Sequence, residues 1–279
     1  MHNQSERELT VSVAAVQMRS EHDLSRNLEQ AAEFISDAAA EGCRIVALPE
    51  NFAFLGLQDA DKVALAEQEG SGPIQEFLSV AAKRNCLWIV GGSIPLVSPD
   101  DDRCFGASIV FDAEGKQQAC YRKIHLFDVE LPQSDERYRE SATMYPGHDL
   151  SVVETPLGGL GLSICYDVRF PELYRKLVDL GASAFTVPSA FTAATGEAHW
   201  RPLLRARAIE NLAYVIAPGQ EGSHSNGRKT HGHSMIIDPW GRVLAEKETG
   251  AGLAIAELDP ALPGDLRRRF PALQHRTMT

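Results

Sequence analysis

The sequence predicts an α/β protein whose sheet layers are covered by helices. Segments rich in β-branched residues alternate along the chain with segments of helical hydrophobic spacing. One arrangement occurs twice: a helix, a glycine, a strand and a proline, with seven positions from Gly42 to Pro49 and from Gly181 to Pro188. Because any two β-α-β units look alike in this way, the spacing alone leaves internal duplication open.

The composition indicates one soluble globular domain. The chain has 279 residues, of which 44% are hydrophobic and 23% charged, and this length suffices for one large or two ordinary domains. No Pro/Ser-rich linker or composition break divides it. We therefore expect a single domain over residues 1–279, with a core at about 10–260 and a C-terminal extension at 261–279.

The charge and the apolar segments restrict the partners. A formal net charge of −11 makes nucleic acid and anionic membranes poor partners, and an anionic substrate would need a local arginine or lysine. The polar start MHNQSERELT lacks the apolar stretch of a signal peptide. The longest apolar stretch, Cys86 to Val97, is too short and too rich in glycine to span a bilayer.

The cysteines indicate a reducing compartment. Their number is odd and they show no CxxC spacing, which argues against a disulfide framework and a zinc ribbon. We predict a cytoplasmic protein. The five positions are Cys43, Cys86, Cys104, Cys120 and Cys165.

The first half of the chain contains three strands that alternate with two helices, and then a hairpin. In order we predict a strand at TVSVAAVQM, a helix capped by Asp23 or Ser25 and ended by Gly42, a strand at RIVALPE, a helix from about Pro73 to Arg84, a strand at LWIVGGSI and a hairpin of ASIVFD and QQACYRKI.

The second half repeats this logic and adds a β-rich end. In order we predict a strand at GLGLSIC, a helix at PELYRKLVDLG, a strand at ASAFTVPSA, a helix around HWRPLLRARAIENLA, a strand at YVIAP, a polar loop GQEGSHSNGRKTHGH and a meander over GHSMIIDPWGRVLAEKETGAGLAIAEL.

Cys165 is a candidate nucleophile. It closes a mostly apolar predicted strand, just before a helix that begins with Pro171. Strand ends that precede helices present side chains at the mouth of an α/β sheet, and the next backbone amide can stabilise an oxyanion. The alternative is a buried structural cysteine, because free cysteine is among the most buried residue types.

Glu50 and Lys123 could serve such a nucleophile. Glu50 directly follows VALP, and desolvation at a sheet end would raise its pKa and make it a usable base. Lys123, in YRKIHLFD, would lower the pKa of a neighbouring thiol. Each alone fits an ordinary surface residue; together they supply three different roles, each at or after a predicted strand.

Three sequence motifs resemble those of the nitrilase (carbon–nitrogen hydrolase) superfamily, whose members use a Glu-Lys-Cys triad in this chain order. They are LPENF at Leu48 to Phe52, YRKIHLFD at Tyr121 to Asp128 and ICYDVRFPELYR at Ile164 to Arg175. The resemblance covers nearly the whole chain. It implies a four-layer αββα sandwich, paired as a homodimer or a higher homo-oligomer. We expect neither a cofactor nor a metal.

Three further motifs resemble those of the deaminated-glutathione amidase branch of that superfamily: SAFTAATGEAHWRPLLRARAIEN, GHSMIIDPWG and LRRRFPALQHR. The resemblance implies cleavage of an amide to 2-oxoglutarate and cysteinylglycine through a thioester on Cys165, with the Tyr166 amide stabilising the oxyanion. Glu140, in RYRES, matches a further active-site glutamate of the family, although Glu130 and Glu136 in the same acidic loop compete with it.

For the substrate, Arg169 is the best placed cation, since its guanidinium can hold a carboxylate by two parallel hydrogen bonds. By the resemblance, Phe191 and Thr195 line the same acyl pocket. The alternative for Arg169 is a salt bridge to Asp167 or Glu172.

Other functions remain as alternatives. An ω-amidase acting on 2-oxoglutaramate or a similar small amide is the nearest, and a non-catalytic binding module is a more distant one. A metal site at His224, His231 and His233 has no acidic ligand at regular spacing, so a solvated loop is expected there. The usual nucleotide-binding, serine-hydrolase and zinc-protease motifs do not occur.

Overall fold

The structure, a computed structural model, describes residues 10–131 and 136–277. Residues 1–9, which hold most of the polar start that argues against a signal peptide, lie outside the described residues, as does the end of the expected C-terminal extension at 278–279.

The helices within the described residues are α1 (Leu24–Ala40), α2 (Asp61–Ala64), α3 (Pro73–Asn85), α4 (Pro171–Asp179), α5 (Ala193–Asn211) and α6 (Leu262–Arg269), with 3₁₀ helices at Glu140–Ala142, Cys165–Arg169 and Ala272–His275. The strands are β1 (Val11–Met18), β2 (Ile45–Ala47), β3 (Trp88–Val90), β4 (Ile94–Val97), β5 (Cys104–Phe111), β6 (Gln117–Arg122), β7 (Asp128–Glu130), β8 (Arg137–Arg139), β9 (Val152–Thr155), β10 (Gly158–Leu162), β11 (Ala184–Thr186), β12 (Tyr214–Ala217), β13 (Gly219–Ser223), β14 (Lys229–His231), β15 (Ser234–Ile237), β16 (Val243–Lys247) and β17 (Gly252–Leu258).

Most of these strands belong to two large sheets. The first has the order β14-β13-β1-β2-β3-β5-β4, with β17 also paired to β1 and β6 paired to β5. The second has the order β16-β15-β12-β11-β10-β9, and β7 and β8 form a separate hairpin. In both sheets the central strands are parallel, as strand–helix alternation requires.

The two sheets pack face to face, and helices cover their outer faces. Along β1, Val13 and Ala15 belong to the cluster that contains the second sheet, whereas Ala14 and Val16 belong to the cluster that contains α1 and α3. This alternation follows from the two-residue period of a strand. Helices α4 and α5 cover the second sheet. The predicted four-layer αββα sandwich is therefore confirmed.

The helix signals explain the ends of α1. The Asp23 side chain accepts a hydrogen bond from the Arg26 amide at 3.2 Å, so Asp23 rather than Ser25 is the cap. Gly42 has φ 79°, and the Cys43 amide donates to the Ala38 carbonyl at 2.9 Å. A glycine in this left-handed conformation ends the helix as predicted.

The prediction of one strand at LWIVGGSI is wrong. Strand β3 ends at Val90 and β4 begins at Ile94. Gly92 has φ 52°, and a Cβ atom there would lie 2.0 Å from the Pro49 carbonyl oxygen. The chain breaks at this point because it passes directly against the backbone that carries Glu50.

The prediction of a solvated loop at GQEGSHSNGRKTHGH is also wrong. Strands β13 and β14 form an antiparallel hairpin, and β13 extends the first sheet beside β1. Gln220 and His224 are buried, and their side chains hydrogen-bond to the Ser20 hydroxyl and carbonyl oxygens respectively. A polar segment can lie inside because these partners satisfy its polar groups.

The predicted meander is correct only for β15 and β16, which are antiparallel neighbours. Strand β17 instead crosses to the first sheet and pairs with β1 along its length. Helix α5 begins at Ala193, earlier than predicted. In residues 10–131 and 136–277 no helix combines the length and the apolarity that a membrane span needs.

Candidate active site

Three acidic or basic side chains from separate segments meet beside one cysteine. Lys123 Nζ donates to Glu50 Oε1 at 2.9 Å, and to Glu140 Oε1 and Oε2 at 2.7 and 3.0 Å. Lys123 is 3% exposed, and Cys165 is close enough to both Glu50 and Lys123 to interact with their charges. All four residues line one pocket.

Glu50 is held by both halves of the chain. It follows β2, and its Oε2 accepts a hydrogen bond at 2.7 Å from the amide of Ala190, which follows β11. Its backbone carbonyl accepts from Gln220 Nε2 at 3.0 Å. The carboxylate thus has one oxygen on Lys123 and one on a backbone amide, which fixes its orientation.

Cys165 lies three residues beyond the end of β10, as the first residue of the 3₁₀ helix Cys165–Arg169. The predicted strand therefore ends earlier than GLGLSIC suggested. Cys165 has φ 49°, and its amide donates to the Pro188 carbonyl at 2.9 Å. Such left-handed backbone is rare for a residue with a side chain and is concentrated at functional sites.

The sequence predicted a raised pKa for Glu50 and a lowered pKa for Cys165, and both directions are wrong. Burial raises the pKa of Glu50, but the charge and hydrogen bond of Lys123, together with the hydrogen bonds of Cys165 and the Ala190 amide, outweigh it, so the pKa lies below the usual range. Burial and the Glu50 charge raise the pKa of Cys165 well above that of an ordinary thiol, although Lys123 acts to lower it. The resting site therefore contains a thiol and a carboxylate.

Lys123 keeps its proton in this setting. Burial alone would lower the pKa of Lys123, but the charges of Glu140 and Glu50 raise it well above the usual value. A buried ammonium between two carboxylates is a fixed positive charge facing the sulfur.

Of the three competing glutamates, the structure brings Glu140 to Lys123. Glu140 Oε2 also accepts from the Phe127 amide at 2.6 Å. Glu130 is exposed and lies 3.7 Å from Arg137 Nε, and Glu136 accepts from the Tyr138 hydroxyl. The location of Glu140 in a short 3₁₀ helix after β8 directs its carboxylate inward.

The pocket wall beyond the cysteine includes Tyr166, Phe191 and Thr195. The Thr195 hydroxyl hydrogen-bonds to the Thr192 hydroxyl at 2.7 Å at the start of α5. Phe191 is buried against Trp200, with ring centroids 5.0 Å apart. The wall is thus apolar with a few fixed hydroxyl groups.

Arg169 lies behind this wall rather than on it. Its guanidinium is 5.2 Å from the Phe191 ring centroid and 5.8 Å from that of Tyr166. Nη1 is 3.3 Å from His199 Nδ1. The alternative of a salt bridge to Asp167 or Glu172 is wrong, because neither carboxylate of these described residues pairs with Arg169.

Asp167 is a site residue that the sequence did not reveal. It is fully buried and accepts hydrogen bonds from the Tyr121 hydroxyl at 2.7 Å, the His125 amide at 3.1 Å and the Ile164 amide at 2.9 Å. Tyr121 and His125 flank Lys123, and Ile164 precedes Cys165. Asp167 therefore connects the segment that carries Lys123 to the turn that carries Cys165. The motifs YRKIH and ICYD, which contain these residues, were the sequence signal available for this contact.

Four further charged residues, which the sequence analysis did not single out, also line the pocket: Asp59, Lys62, Arg139 and Arg228. Lys62 is 8% exposed although it belongs to the four-residue helix α2. Nothing in the local sequence distinguishes it from a surface lysine.

The three histidines of the presumed loop have other roles. His224 contacts the Thr230 hydroxyl oxygen at 2.7 Å, the rings of His231 and His233 stack, and His233 lies 2.7 Å from Glu246. The part of the chain that the structure describes contains no group of three or more His, Cys, Asp or Glu side chains arranged to hold a metal ion.

Comparisons with known proteins identify the family of this chain. The family model described as carbon-nitrogen hydrolase matches residues 12–268. A deaminated glutathione amidase of Synechocystis is 46% identical over 271 residues, covering 94% of this chain and 97% of that protein. The deaminated glutathione amidase of Homo sapiens is 40% identical over 269 residues, covering 95% and 81%.

Solved structures agree in shape. A Saccharomyces cerevisiae protein described as a member of branch 10 of the nitrilase superfamily superposes with a TM-score of 0.86 at 34% identity, covering 97% of each chain.

Proposed function

The chain belongs to the carbon–nitrogen hydrolase family, and from this premise we propose that it hydrolyses the amide bond of deaminated glutathione, giving 2-oxoglutarate and cysteinylglycine. The observation that carries the proposal is the pocket in which Cys165, Glu50 and Lys123 meet. Relatives named for this activity cover nearly the whole chain.

In the first step Glu50 accepts the proton of the Cys165 thiol while the sulfur attacks the amide carbonyl carbon. Because the thiol holds its proton in the resting site, this transfer accompanies the attack rather than preceding it. The oxyanion that forms is stabilised by the Lys123 ammonium and by the Tyr166 amide. This amide belongs to the first turn of a 3₁₀ helix, where amides lack intrahelical acceptors.

In the second step the protonated Glu50 gives its proton to the leaving amine as the carbon–nitrogen bond breaks. The acyl group remains on Cys165 as a thioester. Glu50 then removes a proton from water, which attacks the carbonyl carbon of the thioester. The carbon–sulfur bond breaks to release the acid, and Glu50 returns the proton to the departing sulfur. Glu140 holds the Lys123 ammonium in place through both of its oxygens.

The acyl group would lie against Phe191, Thr195 and Tyr166, with the positive charge of Arg169 acting on the α-keto carboxylate from behind Phe191 and Tyr166. The guanidinium lies against two of these residues and is half-buried. We expect Arg169→Ala to weaken binding of α-keto acid amides more than that of simple amides. Equal losses on both would assign Arg169 a structural role.

Steady-state kinetics test the proposed substrate. We expect a higher kcat/KM for deaminated glutathione than for 2-oxoglutaramate. A large preference for 2-oxoglutaramate would replace the proposal with an ω-amidase, and turnover of simple nitriles would point to nitrile hydrolysis. Absence of turnover and of any acyl adduct would leave a binding module.

The proposal includes a homo-oligomer in the cytoplasm. Cys165 must remain a thiol, and all five cysteines are free in the structure. Exposed apolar side chains, including Ile209, Trp240 and Phe270, offer a surface for a second copy. We expect light scattering to give a dimer or larger, and Trp240→Ser with Phe270→Ser to weaken it; a wild-type monomer at micromolar concentration would contradict this.

A further inference from the structure

Lys62 is a buried lysine on the pocket wall. It is 8% exposed and lines the pocket that contains Cys165. Within the described residues its ammonium has neither a hydrogen bond nor an ion pair, although the charges of Glu50, Asp59 and Glu140 act on it from farther away. Burying a charge with no partner in direct contact costs stability, so an anionic ligand group would stabilise it.

A second cation lies on the same part of the pocket. Arg228, in the turn between β13 and β14, also lines the cavity, and its guanidinium is 5.1 Å from the Tyr138 ring centroid. Burial lowers the pKa of Lys62 and the charge of Arg228 lowers it further, while the charges of Glu50, Asp59 and Glu140 act in the opposite direction. The turn is held there because Asn226 Nδ2 donates to the Gly56 carbonyl, in the loop before α2, at 2.9 Å.

The carboxylates of the pocket do not neutralise this pair by direct contact. Glu50 and Glu140 hydrogen-bond to Lys123, and Asp59 is exposed and forms no ion pair with Lys62. Two cations that face a cavity while its carboxylates are engaged elsewhere favour an anionic ligand group.

Lys62 and Arg228 line the pocket itself, whereas Arg169 lies behind the wall that Phe191 and Tyr166 form. Deaminated glutathione has two carboxylates, one on the acyl part and one at the glycine end of the leaving group. With Arg169 assigned to the first, the second needs its own cation.

We propose that Lys62 and Arg228 form an anion subsite that holds the carboxylate at the far end of the leaving group. This inference rests on the proposed function. This subsite would favour a substrate with a dipeptide leaving group over a primary amide, because a primary amide releases ammonia and has no carboxylate to bind at Lys62 and Arg228.

The test compares two forms of one substrate: deaminated glutathione and its analogue with a C-terminal carboxamide. A charge-assisted hydrogen bond to the carboxylate should give the wild-type enzyme a kcat/KM about 10- to 100-fold higher for the acid. In Lys62→Met this ratio should fall about 10-fold or more, and Lys62→Arg should keep part of it. Arg228→Met should lower the ratio in the same direction.

Lys83→Met is the matched control. Lys83 is an exposed lysine on α3 and lies outside the pocket, so the same substitution removes the same charge without touching the site. Its acid-to-carboxamide ratio should equal that of the wild type. An equal fall in Lys83→Met would show a long-range charge effect and overturn the subsite.

Thermal unfolding supplies a second readout. Because Lys62→Met removes a buried charge that has no direct ion pair within the described residues and lies beside Arg228, the melting temperature without ligand should rise. An unchanged acid-to-carboxamide ratio, or a lower melting temperature, would assign Lys62 to the fold and overturn the proposal. Wild-type preference for 2-oxoglutaramate would instead count against the proposed function, since the ratio compares two N-acyl dipeptide forms only.

Discussion

The two halves of the molecule share one backbone frame and differ in the residues at its strand ends. In the first half β2 lies between β1 and β3, with Val13, Ile45 and Trp88 side by side; in the second half β11 lies between β10 and β12. The corresponding set in the second half is Leu160, Ala184 and Tyr214.

The same devices end the helices in both halves. Gly42 and Gly181 have φ 79° and 101° after α1 and α4. Cys86 and Leu212 have φ 53° and 46° after α3 and α5, although neither is a glycine. The repeat read from glycine and proline spacing therefore extends to backbone conformation and strand register.

The chemistry lies where the halves differ. By the shared register, Glu50 follows Pro49 where Ser189 follows Pro188, and Cys165 lies five residues beyond Leu160 as Met18 lies five beyond Val13. One half supplies the carboxylate and the other the thiol. The frame thus places strand ends at the pocket, and single residues at those ends determine its reactivity.

The largest expected effect comes from changing the thiol. Cys165→Ser should lower kcat by more than about 10³-fold, because the hydroxyl is a poorer nucleophile in a site built for sulfur, while the protein stays folded. Met18→Leu, at the corresponding position of the first half, should change kcat little. Steady-state kinetics with circular dichroism measure both, and an active serine variant would contradict the mechanism.

Glu50→Gln should lower kcat by about 10²- to 10⁴-fold, the usual contribution of a general base. Ser189→Ala, its counterpart, should have a small effect on kcat, since this hydroxyl bonds only to the Val187 carbonyl among the described residues. Equal losses in the two variants would contradict the assignment of the base to one half.

Much of this frame could be predicted from the sequence. Hydrophobic spacing, the Asp23 cap and the glycines after helices are local signals, so the alternation of the central strands with α1, α3, α4 and α5 was predicted correctly, whereas β13 and β14 were predicted to be a loop. The break at Gly92 could not be predicted, since it depends on contact with Pro49, distant in sequence.

The site could be predicted only in part. Sequence motifs identified Glu50, Lys123, Glu140 and Cys165, which the structure brings together. They did not predict the direction of the pKa shifts of Glu50 and Cys165. Those depend on burial and distances between side chains from separate segments. Lys62 was missed for the same reason, because only the folded pocket shows it to be buried and, among residues 10–131 and 136–277, without a hydrogen bond or ion pair.

A smaller effect on activity is expected from changing Asp167, which connects the segment that carries Lys123 to the turn that carries Cys165. Asp167→Asn should lower kcat/KM by about 10- to 100-fold and the free energy of unfolding by about 1–3 kcal/mol, because the amide cannot accept all of the present hydrogen bonds. Tyr121→Phe removes one of them and should have a smaller effect. Denaturant unfolding and kinetics check both; full activity in Asp167→Asn would exclude a positioning role.

The pH profile should reflect the lowered pKa of Glu50. A carboxyl with a lowered pKa in the folded state stays ionised to a lower pH, so kcat/KM should fall on the acid side only below about pH 4.3, the ordinary glutamate value. The stability from its pairing with Lys123 should be lost over the same range. An acid limb centred near pH 6 would show that burial, rather than Lys123, dominates.

The central claim is that the carboxylate of one half activates the thiol of the other. Acid quenching of the enzyme during turnover of deaminated glutathione, followed by peptide mass spectrometry, tests it most directly. We predict a 2-oxoglutaryl thioester on Cys165 in the wild type, and no adduct in Cys165→Ala or, at early times, in Glu50→Gln. An adduct on another residue, or one that forms equally fast in Glu50→Gln, would contradict it.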